Sequence, residues 1–257
     1  YTSGKVMFQG TSADVDATMW KEIDGQKEEK VSKKEEQKYY HCSAVGSDEV
    51  GTGDYFGPII VTAAYVKEEE IPFLEQLGIR DSKKIDDGTI QKIAPQIAKK
   101  ILYRSVILSN KEYNQKYGKD YNMNKIKAIL HNKVLHQLIQ EENPSYDYII
   151  VDEFAREARY YEYIQESTEI QRGITFLTKA EDKNLAVACA SVISRYLFLK
   201  EFDKLSDNLH IPLPKGAGKE VDKIGEEIVE KYGEEKLEEV AKLNFRNTER
   251  ILKTIIF

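Results

Sequence analysis

The sequence predicts an α/β domain in which helices cover both faces of a mixed β-sheet. Short apolar segments with the length of buried strands alternate with longer segments whose apolar residues recur at helical spacing. This interleaving is typical of a sheet packed between helices. Two of the predicted strands also end in an acidic residue, Asp48 and Asp152, so the same pattern indicates where a functional site lies.

Five strands are predicted, at residues 44–48, 58–66, 101–108, 147–152 and 174–177. Helices are predicted at residues 87–100, 124–140 and 185–205, and two acidic helices follow near residues 219–232 and 234–243. The helix at residues 87–100 is predicted because apolar residues recur on one helical face, at Ile90, Ile93, Ala94, Ile97 and Ile101.

The N-terminal region has a different character. Residues 1–23 predict one short strand and one helix, which are too few elements to bury a core on their own. We therefore expect them to be the C-terminal remnant of a small N-terminal domain. A charged linker at residues 24–40 then leads to the main domain at residues 41–257. Because the chain starts with Tyr1, we expect it to be part of a longer protein.

Composition restricts the class of protein. Of 257 residues 41% are hydrophobic, which is enough for a sizeable core. No apolar run reaches the roughly 18 residues of a membrane helix, and no secretion signal is visible, so we expect a cytoplasmic protein without a membrane partner. Cys42 and Cys189 predict two buried, reduced thiols. The net charge of −6 argues mildly against a nucleic-acid partner, but clustered lysines allow a local basic face.

Four acidic residues are candidates for a metal-dependent hydrolytic site: Asp48, Glu49, Asp152 and Glu181. Hard divalent ions prefer carboxylate oxygens, and open α/β sheets bind ligands at their strand ends. Adjacent strand residues point to opposite faces. Asp48 and Glu49 can therefore reach one site only if the strand ends or bulges at Glu49, or if Glu49 contributes its main-chain carbonyl.

The segment DEVGTGDYFGP, residues 48–58, places Gly51, Thr52 and Gly53 directly after the first acids. Glycine lets the main chain approach a ligand closely and leaves its amides available to phosphate or sugar oxygens. The alternative is a plain connection between two strands. The spacing does not fit the phosphate loop of nucleotide hydrolases, which ends in Lys-Ser or Lys-Thr.

This segment resembles the first signature of the ribonuclease HIII family. Three further blocks resemble that family in the same order: DSKK at residues 81–84, YIIVD at 148–152, and TKAE at 178–181 with the helix after it. The related ribonuclease HII carries Gly-Arg-Gly where this chain has Gly51, Thr52 and Gly53, and usually Asp in place of Glu181. The resemblance covers residues 40–250 approximately, and it favours the HIII branch.

The resemblance implies a ribonuclease H-like fold with a five-stranded mixed sheet, and a carboxylate quartet of Asp48, Glu49, Asp152 and Glu181 that binds Mg²⁺ or Mn²⁺. It also implies that residues 1–23 complete an N-terminal substrate-binding domain resembling the TATA-binding protein. The implied activity is endonucleolytic hydrolysis of the RNA strand of RNA–DNA hybrids, leaving 5′-phosphate and 3′-hydroxyl ends. Expected substrate contacts are Gly51, Thr52, Gly53, Ser82, Lys83 and Lys179.

Two alternatives remain open at this point. One is cleavage at single ribonucleotides embedded in DNA, as in ribonuclease HII, and the other is a non-catalytic module that binds hybrids. The sequence implies no protein partner, and we expect a monomer. His131 lies on a predicted helix that could line the substrate groove, together with Asn122, Asn124 and Asn132, but a histidine in such a position is more often a surface residue. Arg195 is expected to form an ion pair.

Overall fold

The computed structural model describes residues 38–79, 85–118 and 120–255. Five strands form one sheet in the order β3-β2-β1-β4-β5. Their bounds are Ala44–Val50 (β1), Ile59–Val66 (β2), Leu102–Leu108 (β3), Tyr148–Asp152 (β4) and Ile174–Leu177 (β5). β1 pairs antiparallel with β2, and β2 with β3, whereas β1, β4 and β5 run parallel. The sheet is mixed, as the sequence predicted.

Helices connect and cover these strands. In chain order they are Ile71–Gln76 (α1), Asp87–Lys100 (α2), Asn110–Lys116 (α3), Met123–Glu142 (α4), Glu157–Tyr163 (α5), Ala180–Lys183 (α6), Leu185–Leu209 (α7), Lys219–Tyr232 (α8), Glu235–Val240 (α9) and Arg246–Ile255 (α10). α2 and α7 contribute to the core on one face of the sheet, and α4 and α5 to the core on the other. None of the helices within the described residues combines the length and apolar character that crossing a membrane requires.

The two faces of the sheet follow from the alternation of strand side chains. Ala44 packs in the core beneath α7, whereas Val45 packs in the core beneath α4. Gly46 lets α7 approach closely, because a Cβ at Gly46 would lie 2.5 Å from the main-chain nitrogen of Val187. α7 therefore crosses β1 in contact with its backbone, directly below the residues that end the strand.

The predicted elements are largely confirmed, with small differences at their ends. β1 is longer than predicted because it continues through Asp48 to Val50. Helices α1, α3, α5, α6 and α10 were not predicted, since each is short or follows a stretch without a clear apolar period. Cys42 and Cys189 are buried and free, as expected. The predicted N-terminal elements at residues 1–23 and most of the linker lie outside the described residues.

Candidate active site

Asp48 and Glu49 point to opposite faces of the sheet. The register between β1 and β2 is continuous up to Val50, so the strand neither ends nor bulges at Glu49. The Asp48 carboxylate is hydrogen-bonded by Ser191 of α7, whereas the Glu49 carboxylate is bound by side chains of α4. Of the routes considered from the sequence, only the main-chain carbonyl of Glu49 remains as a way for this residue to reach the Asp48 side.

Asp48 is held at both its main chain and its side chain by α7. The Ser194 hydroxyl donates to the Asp48 carbonyl oxygen at 3.2 Å. Burial and repulsion from Glu49 and Asp152 together raise the pKa of Asp48 to about 7, although the hydrogen bond from Ser191 partly opposes them. The ionised form of Asp48 is therefore destabilised, and a nearby cation would stabilise it.

Asp152 shares the face of Asp48. Ser47 of β1 lies opposite Val151 of the parallel strand β4, so Asp48 and Asp152 are the next residues along their strands. Ile150 packs in the core beneath α7, and Asp152, two residues further, points the same way. The adjoining carboxyl ends of β1 and β4 therefore bring these two acids to one edge of the sheet.

Glu181 reaches this edge through the turn that precedes α7. The main-chain amide of Ala180 donates to Asp152 Oδ1 at 2.9 Å, which fixes the start of α6 against the end of β4. Glu181 follows directly and is buried, with 5% of its surface exposed. Lys179 precedes it in the left-handed conformation, with φ 53°, and its side chain is exposed. The chain reversal thus turns Glu181 inward and Lys179 outward.

Glu49 is neutralised on the opposite face. Its Oε1 lies 2.5 Å from Lys127 Nζ, and its Oε2 lies 2.9 Å from His131 Nε2. His131 Nδ1 lies 2.7 Å from the Ser47 hydroxyl. Burial would raise the pKa of Glu49, but the hydrogen bond and charge of His131 and the ion pair with Lys127 outweigh it and lower the pKa to about 2.

His131 and Lys127 were not assigned a role from the sequence. The expectation that His131 is a surface residue is wrong, because it is fully buried. Lys127 and His131 stand four positions apart on α4, a spacing that places two side chains on one helical face. The spacing indicates that the two side chains can bind one group together, but nothing in the sequence shows that this helical face meets β1.

The carboxylates fit a divalent cation by their chemistry. Asp48, Asp152 and Glu181 offer hard oxygen donors, and repulsion among the acids contributes to the raised pKa of Asp48. Across the described residues, no three acidic, histidine or cysteine side chains are already gathered at metal-binding distances. The three carboxylates would therefore have to move together to share an ion, and the Glu49 carboxylate would have to leave its partners on α4.

The connection between β1 and β2, which we call the glycine loop (residues 51–58), combines a rigid base with an open tip. Gly51 has φ +89°, and a Cβ there would lie 2.1 Å from the Pro58 carbonyl oxygen, so only glycine fits. Gly53 is exposed, with no atom near the place of a Cβ. Tyr55 and Phe56 are fully buried and anchor the loop. Gly51 thus has a structural role, while the surroundings of Gly53 leave its main chain open to a ligand.

Ser82 and Lys83 lie outside the described residues. Arg195 forms the expected ion pair, 2.6 Å from Asp87, and also donates to the carbonyl of Ile85 at 2.6 Å. Arg195 therefore fixes the start of α2 against α7.

Comparisons with known proteins identify the family of this chain. The family model for Ribonuclease HII matches residues 45–248. Ribonuclease HIII of Bacillus cereus is 42% identical over 264 residues, a match that covers 99% of this chain and 85% of that protein. This chain belongs to the ribonuclease HIII family. It is accordingly a ribonuclease H enzyme, and the mixed five-stranded sheet is the ribonuclease H-like fold that the sequence implied.

Solved structures of ribonuclease HIII share this architecture. The crystal structure of Bst-RNase HIII in complex with Mn²⁺ matches with a TM-score of 0.84 and 39% identity, covering 96% of this chain and 82% of that one. Aquifex aeolicus RNase H3 matches with a TM-score of 0.64 and 26% identity, covering 95% and 82%. All four candidate acids fall inside the region that the family model matches.

Proposed function

We propose that this ribonuclease HIII family member cuts the RNA strand of RNA–DNA hybrids endonucleolytically and leaves 5′-phosphate and 3′-hydroxyl ends. The observation that carries the proposal is that Asp48 and Asp152 stand at adjoining strand ends, and that buried Glu181 directly follows the residue whose amide binds Asp152. These acids come from three separate segments of the chain. A protein that merely bound hybrids would gain nothing from a cluster of carboxylates beside phosphate groups.

The site would hold two divalent ions, Mg²⁺ or Mn²⁺, through the carboxylates of Asp48, Asp152 and Glu181 and the main-chain carbonyl of Glu49. Bst-RNase HIII, which is 39% identical, was solved in complex with Mn²⁺. Divalent ions in such a site lower the pKa of water and neutralise the charge that develops on the phosphate. A protein base is therefore not required.

The protein's own residues orient the acids. Ser191 and Ser194 fix the side chain and main chain of Asp48, and the Ala180 amide fixes Asp152. In the proposed mechanism, Glu181 helps to order the attacking water. On the other face, Lys127 and His131 bind the carboxylate of Glu49, which limits the negative charge that an approaching phosphate meets.

Recognition of RNA has to involve the 2′-hydroxyl, the group that distinguishes RNA from DNA at a given position. We assign this contact to the amides of Gly51, Thr52 and Gly53, which lead from the end of β1 to the exposed tip of the glycine loop at Gly53. Lys179 is exposed beside Glu181 and can meet a phosphate. Ser82 and Lys83 are proposed as further phosphate contacts on the basis of the DSKK motif.

The test compares cleavage of an RNA–DNA hybrid, a DNA duplex and an RNA duplex of one sequence, in EDTA, Mg²⁺ or Mn²⁺. We expect cleavage of the hybrid alone, dependent on a divalent ion, with product fragments that a ligase accepts at their 5′-phosphate. Asp182, which is exposed next to Glu181, supplies the matched control variant Asp182→Asn for the inactive Asp152→Asn. Hybrid binding without cleavage in either metal would contradict the proposal and favour a binding module.

A further inference from the structure

Lys242 is a fully buried lysine far along the chain from the candidate acids. An ammonium group removed from water is costly unless hydrogen bonds replace its hydration. The Nζ of Lys242 donates to two main-chain carbonyl oxygens, those of Asp54 at 2.8 Å and Gly57 at 2.5 Å. Both acceptors belong to the glycine loop, so the buried charge is directed at the turn that follows Gly53.

The main chain around Lys242 binds the same turn. The Lys242 amide donates to the Tyr55 carbonyl at 2.8 Å, and the Gly57 amide donates to the Val240 carbonyl at 3.0 Å. The side-chain amide of Asn110 donates to the Gly57 carbonyl at 2.9 Å. The loop is therefore fixed by a segment that is remote in sequence, and Lys242 and Asn110 share one acceptor.

An apolar side chain could fill this space with a smaller desolvation cost, because Tyr55, Phe56, Val240 and Ala241 around it are buried. Replacing a buried charge with a well-packed apolar group is often neutral or stabilising. Unlike methionine, Lys242 supplies N–H groups, so the inward carbonyls of Asp54 and Gly57 share one donor atom. That donor sets the conformation of the turn rather than merely filling volume.

We propose that Lys242 is a positioning residue for substrate recognition, which holds the glycine loop so that its exposed tip at Gly53 meets the RNA strand of the hybrid. This inference rests on the proposed function, since it assumes that the tip contacts RNA. Lys242 acts through the main chain of Asp54 and Gly57 and touches neither substrate nor the acids. Its loss therefore weakens binding and leaves the chemical step intact.

The experiment measures kcat and KM on an RNA–DNA hybrid for the wild-type protein, Lys242→Met and Lys236→Met. Lys236 is a partly exposed lysine on α9, paired with Glu239 at 2.6 Å, and serves as the matched control. We expect Lys242→Met to raise KM about tenfold, with kcat within about threefold of wild type. Lys236→Met should change neither value. Far-UV circular dichroism and urea titration verify that each variant is folded under assay conditions.

A second variant keeps the inference testable if Lys242→Met does not fold. Asn110→Ala removes one donor to the Gly57 carbonyl and leaves the ammonium in place, and we expect a KM increase of about threefold. A folded Lys242→Met or Asn110→Ala protein with wild-type KM overturns the inference. A variant that loses kcat together with stability, at unchanged KM, also overturns it. Failure of the proposed function is distinguishable, because the wild-type protein would then not cut hybrids at all.

Discussion

Replacing Asp48 with Asn should stabilise the metal-free protein, and the gain should be larger at pH 8 than at pH 5. Burial, with repulsion from Glu49 and Asp152, raises the pKa of Asp48 from 3.8 to about 7 in the folded state. Between these values the folded protein holds a proton that the unfolded chain has released. The free energy of unfolding therefore falls as pH rises through this range. Asn carries no such proton and is free of the effect.

The size of the effect follows from this linkage. One proton of difference changes the free energy of unfolding by about 1.4 kcal/mol per pH unit, so the two units from pH 5 to pH 7 give an upper value of about 2.7 kcal/mol. The Asp48 side chain is only partly buried, and solvent screens its repulsion, so we expect about 1 to 2 kcal/mol. As the pH rises beyond 7 the folded state also loses the proton, so the difference between variant and wild type should level off near pH 8.

Urea titrations in EDTA, followed by far-UV circular dichroism at pH 5, 6, 7 and 8, measure this difference. Asp203→Asn removes an exposed carboxylate from the same helix that contacts Asp48, and it should show no comparable trend. Mg²⁺ at 100 times its Kd should raise the free energy of unfolding of the wild type by about 2.7 kcal/mol. The variant, which lacks one carboxylate, should be stabilised by less. An Asp48→Asn stability gain that is equal at pH 5 and pH 8 would refute the reasoning.

Three further outcomes are expected. Asp152→Asn should keep its fold, because Asn can still accept from the Ala180 amide, but it should cleave hybrids at less than about a tenth of the wild-type rate, a barrier change of about 1.4 kcal/mol; a higher rate contradicts its role. Burial lowers the pKa of Lys242 to about 7, so the unfolded state binds more protons above pH 7. Wild-type stability relative to Lys242→Met should then rise by up to about 1.4 kcal/mol per unit from pH 7 to 9, and a flat difference argues against this. Because Thr52 stands where the junction-cutting relatives carry Arg, a duplex with four ribonucleotides in a row should give a higher kcat/KM than one with a single ribonucleotide, and equal values contradict this.

The strands and their acidic ends were predictable because each depends on local pattern. β4 was predicted to end at Asp152 because apolar residues lead directly to it, and it does. The parallel pairing of β1 and β4 then brings Asp48 and Asp152 to one edge, as expected for the carboxyl ends of parallel strands. The sequence also predicted that Asp48 and Glu49 could not share a face within a regular strand.

The partners on the faces of the sheet were not predictable in the same way. Lys127 and His131 lie about 80 residues from Glu49 in sequence, and their contact depends on which helix covers which face. Lys242 and Gly57 are 185 residues apart. A single sequence carries periodicity within an element, but it does not specify which elements meet. The roles of these three residues could therefore be assigned only from the folded structure.

The placement of Asp48 and Glu49 on opposite faces of the sheet limits the negative charge on either face. Two adjacent ionised carboxylates on one face would repel each other and any approaching phosphate. Here β1 directs Asp48 to the α7 face, and Glu49 is neutralised on the α4 face by Lys127 and His131. Any ligand contact from Glu49 then depends on its main chain. The main-chain carbonyls of Asp48 and Gly57 are in turn fixed by side-chain donors, Ser194 and Lys242. It follows that variants of Ser194 or Lys242, which act on main-chain position, should impair the enzyme although neither supplies an acid.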